Sequence, residues 1–181
     1  MNLGEIILDR YKEYLGQYIG ADLYSNDECE IQLLGFPEAV ENCLVFSTLG
    51  LSKYSDFINN ECEILLAVNE AYDECANVFM NSVFYILSNK MNFGRGVLIE
   101  GTDSIVKDFS AKHDKSAIYF TDVYILPEEF SVISDSCKVY MGFFVTKQEA
   151  EYIKQYGCEK FEDKLEEADC DVIDLNRKSV V

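Results

Sequence analysis

The segment "CLVFSTLGLSKYSDFINNECEILLAV", Cys43 to Val68, carries two β-rich runs around a short polar connection. "CLVFSTLGL" (Cys43 to Leu51) and "CEILLAV" (Cys62 to Val68) are dense in β-branched and apolar residues, and Asn59 and Asn60 separate them. The spacing predicts neighbouring strands of one sheet. Glu61 and Glu63 alternate with Cys62 and Ile64, so strand geometry places the two carboxylates together on the opposite face, a negative row that meets either a cation or water.

Upstream, "EIQLL" (Glu30 to Leu34) reads as a further strand, bounded by Gly35 and Pro37. Leu3, Ile6, Ile7, Tyr11, Tyr14, Leu15 and Tyr18 fall on one helical face, and Asn2 with Glu5 has the spacing of a capping box. Downstream, Tyr72, Cys75, Ala76, Phe79, Val83, Ile86 and Leu87 form a long helical stripe that closes near Asn92-Phe93-Gly94. Three more strands are predicted: "GVLIE" (Gly96 to Glu100), "AIYFTDVYIL" (Ala117 to Leu126, stopped by Pro127) and "CKVYMGFFV" (Cys137 to Val145). Thr146 with Glu149 opens a helix that Gly157 ends, and Phe161, Leu165 and Ala168 mark another. The pattern is α+β: a mixed, mostly antiparallel sheet packed by amphipathic helices, in a single domain over residues 1–181 with no repeat or linker.

With 181 residues and 49% hydrophobic content, the chain can bury roughly 70% of its unfolded surface, so it needs neither metal nor disulfide to fold. Its 33 acidic and 15 basic residues leave a net charge of −18. That charge repels nucleic acid and anionic membranes and attracts cationic partners, although solubility alone also accounts for acidic surfaces. "MNLGEIILDR" lacks a basic leader region, and no apolar run approaches the about 20 residues of a spanning helix. The seven cysteines form no C-x-x-C pair and sit mainly in apolar segments, as reduced thiols in a core do. A cytoplasmic location is the expectation.

Catalytic signatures are sparse. His113, in "SAKHDKS", is the single imidazole, its surroundings read as loop, and no G-x-S-x-G elbow accompanies it. The scattered cysteines do not have zinc-ligand spacing. "NFGRGVLIEG" (Asn92 to Gly101) lacks the order of a phosphate loop and leads into a strand, so it reads as a turn. No catalytic, cofactor or metal site is assigned. Acidic pairs are the candidate partner-binding residues: Glu61 and Glu63, Asp73 and Glu74, Glu128 and Glu129.

Two stretches resemble a known family. "STLGLSKY" (Ser47 to Tyr54) followed by "CEILLAV" is similar to the strand-turn-strand of the suppressor-of-fused-like domain, in which a T-x-G-[LM]-S element leads to a strand written E-[LI]-x-[LI]. Thr48, Gly50, Leu51 and Ser52 match the first element, and Glu63, Ile64, Leu65 and Leu66 approximate the second. The ending from Phe143 to Val181 resembles that of bacterial members: a strand, a T-x-x-E helix, a glycine, a short helix, and a terminal aspartate with Arg-Lys-Ser. The resemblance runs from about Cys43 to Val181 and departs at Asn92 to Gly101, where a Gly-His element often stands. It implies an immunity protein of a polymorphic toxin system, cytosolic and non-enzymatic, that neutralises a cognate toxin, basic in keeping with the charge. The alternatives are a housekeeping peptide-binding regulator of the same fold, or a metal-dependent enzyme with an acidic site.

The tail "DLNRKSVV" (Asp174 to Val181) follows two capped helices without a Gly- or Pro-rich spacer. It is expected to dock through Leu175, Val180 and Val181, with Arg177 holding a fixed carboxylate and Lys178 facing water.

Overall fold

A computed structural model describes residues 2–181. Seven strands form one sheet in the order β1-β2-β3-β4-β7-β6-β5. β1 (Gly20–Ser25), β2 (Glu30–Phe36), β3 (Leu44–Leu49) and β4 (Glu61–Val68) make an antiparallel meander, with the short helix α2 (Ser55–Ile58) between the last two. The long helix α3 (Tyr72–Ser88) then carries the chain across one face. β5 (Leu98–Glu100), β6 (Ala117–Asp122) and β7 (Cys137–Val145) return inward from the far edge. β7 therefore arrives beside β4 running the same way, the one parallel pairing among the described residues.

Both faces of the sheet are covered, and the centre of β4 shows why its sequence reads as a nearly continuous apolar run. Cys62, Ile64, Leu66 and Val68 enter a core shared with α3, whereas Leu65 and Ala67 enter a second core on the other face. That second core is closed by α1 (Leu3–Leu15), α6 (Lys147–Tyr156) and α7 (Cys158–Glu167). Asn2 and Glu5 cap α1 reciprocally, and Thr146 and Glu149 do the same for α6.

Several boundaries differ from the sequence expectation. α1 stops at Leu15 because Gly16 turns to a φ of 84°, which leaves Tyr18 outside the helix and exposed. β6 ends at Asp122, four residues short of Leu126, and Pro127 precedes the short helix α5 (Glu128–Ser131) instead of closing the strand. β1 carries no clear alternation and has no counterpart in the sequence expectation; as an edge strand it is largely exposed. His113 ends the short helix α4 (Phe109–His113), where its side chain, 12% exposed, packs on Phe109 and faces Glu74, so it is neither in a loop nor solvated.

Candidate functional site

Three buried or half-buried ionic centres organise the chemistry of the interior. The first belongs to the strand-turn-strand of Cys43 to Val68. After β3, Gly50 adopts a φ of 106°, which a side chain would strain, and a 3-10 turn follows over Leu51–Tyr54. This turns the N–H groups of Gly50, Leu51 and Ser52 toward β4, where all three donate to the Glu63 carboxylate at 2.9 to 3.2 Å. The hydroxyls of Thr48 (2.6 Å) and Ser52 (2.9 Å) donate as well. Thr48 Oγ1 also accepts from the Ile64 N–H, locking strand to turn.

Glu63 therefore does not join Glu61 in an exposed row. The alternation places it on the face opposite Cys62 and Ile64, but α1 covers that face: Glu63 is 0% exposed, and Tyr11 above it donates to the Thr48 carbonyl. Burial pushes the Glu63 carboxyl above its usual range, against the pull of Thr48, Ser52 and Gly50. The T-x-G-L-S element and the glutamate are one device, an oxygen anion held by a turn of inward-facing donors.

The second centre holds the C-terminus. Arg177 forks onto Glu149, with Nη1 at 2.6 Å from Oε1 and Nη2 at 2.9 Å from Oε2, and Nη2 also donates to the Phe144 carbonyl at the end of β7. The same carboxylate caps α6 through the Thr146 N–H and accepts the Val180 N–H. Burial depresses the guanidinium's proton affinity, but Glu149 more than restores it. Lys115, fully buried, donates to the carbonyls of His113 and Arg177; burial, then the charge of Arg177, lowers its pKa. Asn69, after β4, donates to Asp174 and accepts from the Leu175 N–H. Val172 and Ile173 enter one core and Leu175 the other, so the tail crosses the end of the sheet and ties its two faces together. Lys178 is exposed.

The third centre lines a cleft of about 590 Å³ between β6, β7 and α7. Glu162 accepts from Tyr119 and Thr121 hydroxyls at 2.7 Å each and from Arg95 Nε at 2.9 Å. Burial raises its pKa, yet Arg95 and the two hydroxyls outweigh it and hold the carboxyl below its usual range. An acid held ionised with all its acceptor positions engaged is a poor proton shuttle. Arg95 comes from the Asn92 to Gly101 segment, which thus supplies one half of this pair.

The remaining acidic candidates are not gathered into one patch. Glu61, half-buried, accepts from the Ser136 hydroxyl at the start of β4 and β7. Glu128 and Glu129 are exposed in α5. Asp73 is exposed in the first turn of α3, beyond the other end of β4, and its neighbour Glu74 pairs with Lys112 at 2.7 Å and His113 at 3.4 Å. Among the described residues no serine or cysteine side chain hydrogen-bonds His113, and no group of three or more His, Cys, Asp and Glu is placed to hold a metal ion. No helix among them is long and apolar enough to cross a membrane. All seven cysteines are free, and burial pushes the thiols of Cys75 and Cys137 up to about 12, far from reactive. Unfolding curves with and without chelator, and with and without reductant, should therefore coincide; a shift of several kcal/mol on adding either would reveal a structural metal or bridge.

Most residues of the first two centres lie in the two motif stretches, with Tyr11, Asn69 and Lys115 joining them from elsewhere in the chain. A family model described as Suppressor of fused protein (SUFU) matches residues 27–178. The chain belongs to the suppressor of fused family. The match begins before β2 and thus extends the resemblance N-terminal of Cys43. Over 151 residues the chain is 27% identical to immunity protein YqcF of Bacillus subtilis (strain 168), covering 78% of this chain and 76% of that one. The fold is similar to that of a suppressor of fused homologue from Neisseria gonorrhoeae FA 1090, with a TM-score of 0.76, 14% identity and coverage of 99% and 97% of the two chains. A chain of the Sufu–Fu complex superposes with a TM-score of 0.61 at 10% identity, covering 98% of this chain and 91% of the other.

Proposed function

We propose that this SUFU-family chain is a non-catalytic protein-binding module of the immunity type, which sequesters a cationic toxin domain in the cytoplasm. The observation that carries this reading is the 27% identity over about three quarters of both chains to a protein named as an immunity protein. Three features support it. The buried carboxylates Glu63 and Glu149 and the half-buried Glu162 are saturated by internal donors, which suits them to holding the fold. The net charge of −18 favours a basic partner. The free, high-pKa thiols suit a reducing compartment.

In this reading Glu61, Asp73, Glu74, Glu128 and Glu129 belong to a distributed acidic surface that steers encounter, while apolar and tyrosine contacts supply most of the affinity. The experiment mixes the purified chain with a candidate cationic toxin domain. A one-to-one complex should elute on size exclusion. Its association rate, followed by stopped flow, should fall about tenfold or more as salt shortens the screening length from roughly 30 Å at 0.01 M to about 8 Å at physiological ionic strength. No complex at either salt concentration would overturn the reading, and a salt-independent rate would remove its electrostatic part.

A further inference from the structure

The longest stretch of this chain without a charged residue, Cys75 to Asn89, is not a buried strand but most of α3, a helix with one face in solvent. The inner face packs Phe79, Val83, Ile86 and Leu87 into the core. The outer face presents Asn77, Asn81 and Tyr85 at four-residue spacing, one continuous ridge, with Tyr85 53% exposed. In a protein in which 27% of residues are charged, an exposed helical ridge of amides and tyrosine is the composition of an interface centre, where charge is depleted and tyrosine enriched. The ends of the ridge differ in sign: Asp73 is exposed in the first turn, and Lys90 is exposed just past the last.

We infer that this ridge is a self-association surface, on which a second copy docks with the two α3 helices antiparallel about a two-fold axis at Asn81. The occupant follows from charge. Two copies at −18 each repel over most of their surface, and an uncharged ridge is where they can touch at least cost. Antiparallel alignment about Asn81 sets Asn77 of one copy against Tyr85 of the other and brings the Asp73 end of each toward the Lys90 end of its partner, at a shallow crossing of about 20° that keeps both ends in reach. Asn81 donates within its own helix to Asn77, at 2.8 Å to Oδ1 and 2.9 Å to the carbonyl. Its own Oδ1 and the Asn77 amide N–H groups have no protein partner among the described residues, a matched acceptor and donor for the facing helix. One helical ridge, about 25 Å long, buries less than the roughly 800 Å² per partner of a standard interface, so the dimer is weak, with a dissociation constant on the order of 10–100 µM.

Sedimentation velocity from about 1 to about 500 µM, at low salt and at roughly 0.5 M salt, tests this. The dimer fraction should rise with concentration and rise further with salt, because screening relieves the repulsion between copies. Asn81→Asp, which sets two carboxylates at the axis, and Tyr85→Glu should each shift dimerisation tenfold or more to higher concentration, and Tyr85→Glu should do so without altering thermal melting of the monomer, since the Tyr85 side chain is exposed and makes no hydrogen bond in its own chain. Asn81→Cys should form an intermolecular disulfide with its own counterpart under mild oxidation, beyond any seen in the unsubstituted chain. A monomer at the highest concentration in both salts, or a dimer that neither substitution weakens, would overturn the inference. So would a chain that stays monomeric while a toxin domain shields Tyr85, which would assign the ridge to that partner.

Discussion

Replacing Glu63 with alanine should lower the unfolding free energy by about 4–6 kcal/mol, among the largest effects a single substitution can have in a domain of this size. The carboxylate satisfies three backbone N–H groups and two hydroxyls in a place closed to water. Its removal orphans them together, at about 1–3 kcal/mol for each donor left buried without a partner, less whatever relaxation restores. Glu63→Gln should fall between, because its amide would turn a donor toward N–H and O–H groups that also donate. Urea unfolding measures both. A cost under about 1 kcal/mol for Glu63→Ala would mean that the turn finds other acceptors.

The pH dependence of the same site has a definite sign. Burial raises the folded pKa of Glu63 above its unfolded value. The unfolded chain therefore releases this proton first, and the site's contribution to stability declines as pH rises from the ordinary glutamate pKa, about 4.3, to the raised folded value. Glu63→Gln should remove that slope.

Arg177→Ala should cost about 3–5 kcal/mol, because it leaves Glu149, itself 0% exposed, as a buried charge without its counter-ion. Deleting Asp174 to Val181 should cost at least as much, since Leu175 leaves the core as well and Lys115 loses the Arg177 carbonyl. Replacing Arg177 and Glu149 together with leucine and methionine should recover part of the loss, as buried ion pairs exchanged for apolar residues often do. Denaturant midpoints for the three variants decide the matter. Changes within about 0.5 kcal/mol for both Arg177→Ala and the deletion would describe a frayed tail.

How far the sequence could be read follows from what each signal reports. Periodicity and caps are local, so α1, α3, α6 and α7 were legible from Asn2 with Glu5, the Tyr72 to Leu87 stripe, Thr146 with Glu149, and the Phe161–Leu165 pair. β2, β3, β4 and β7 were legible from apolar density. β1 was not, because an edge strand buries too little to need a pattern, and β6 was overextended because Tyr124 and Ile125 carry strand propensity without strand pairing. The role of Glu63 was illegible for a different reason. Alternation gave its face correctly, but which face of a sheet is covered is a tertiary fact, set here by where α1 packs. The Arg177 partner was of the same kind: Glu149 was visible as a helix cap, and only the fold brings the tail onto it. The pairing of Arg95 with Glu162 joins residues far apart in the chain, and no local spacing announces it.

Survival of cells is the most direct measurement. The cationic toxin domain proposed as the partner is expressed alone, with the intact chain, and with the Glu63→Ala variant, and viable cells are counted. The expected result is killing by the toxin alone, rescue by the intact chain in proportion to the one-to-one complex it forms, and weaker rescue by the destabilised variant. Killing that continues unchanged in cells holding abundant, soluble, folded chain would contradict an immunity function for this protein.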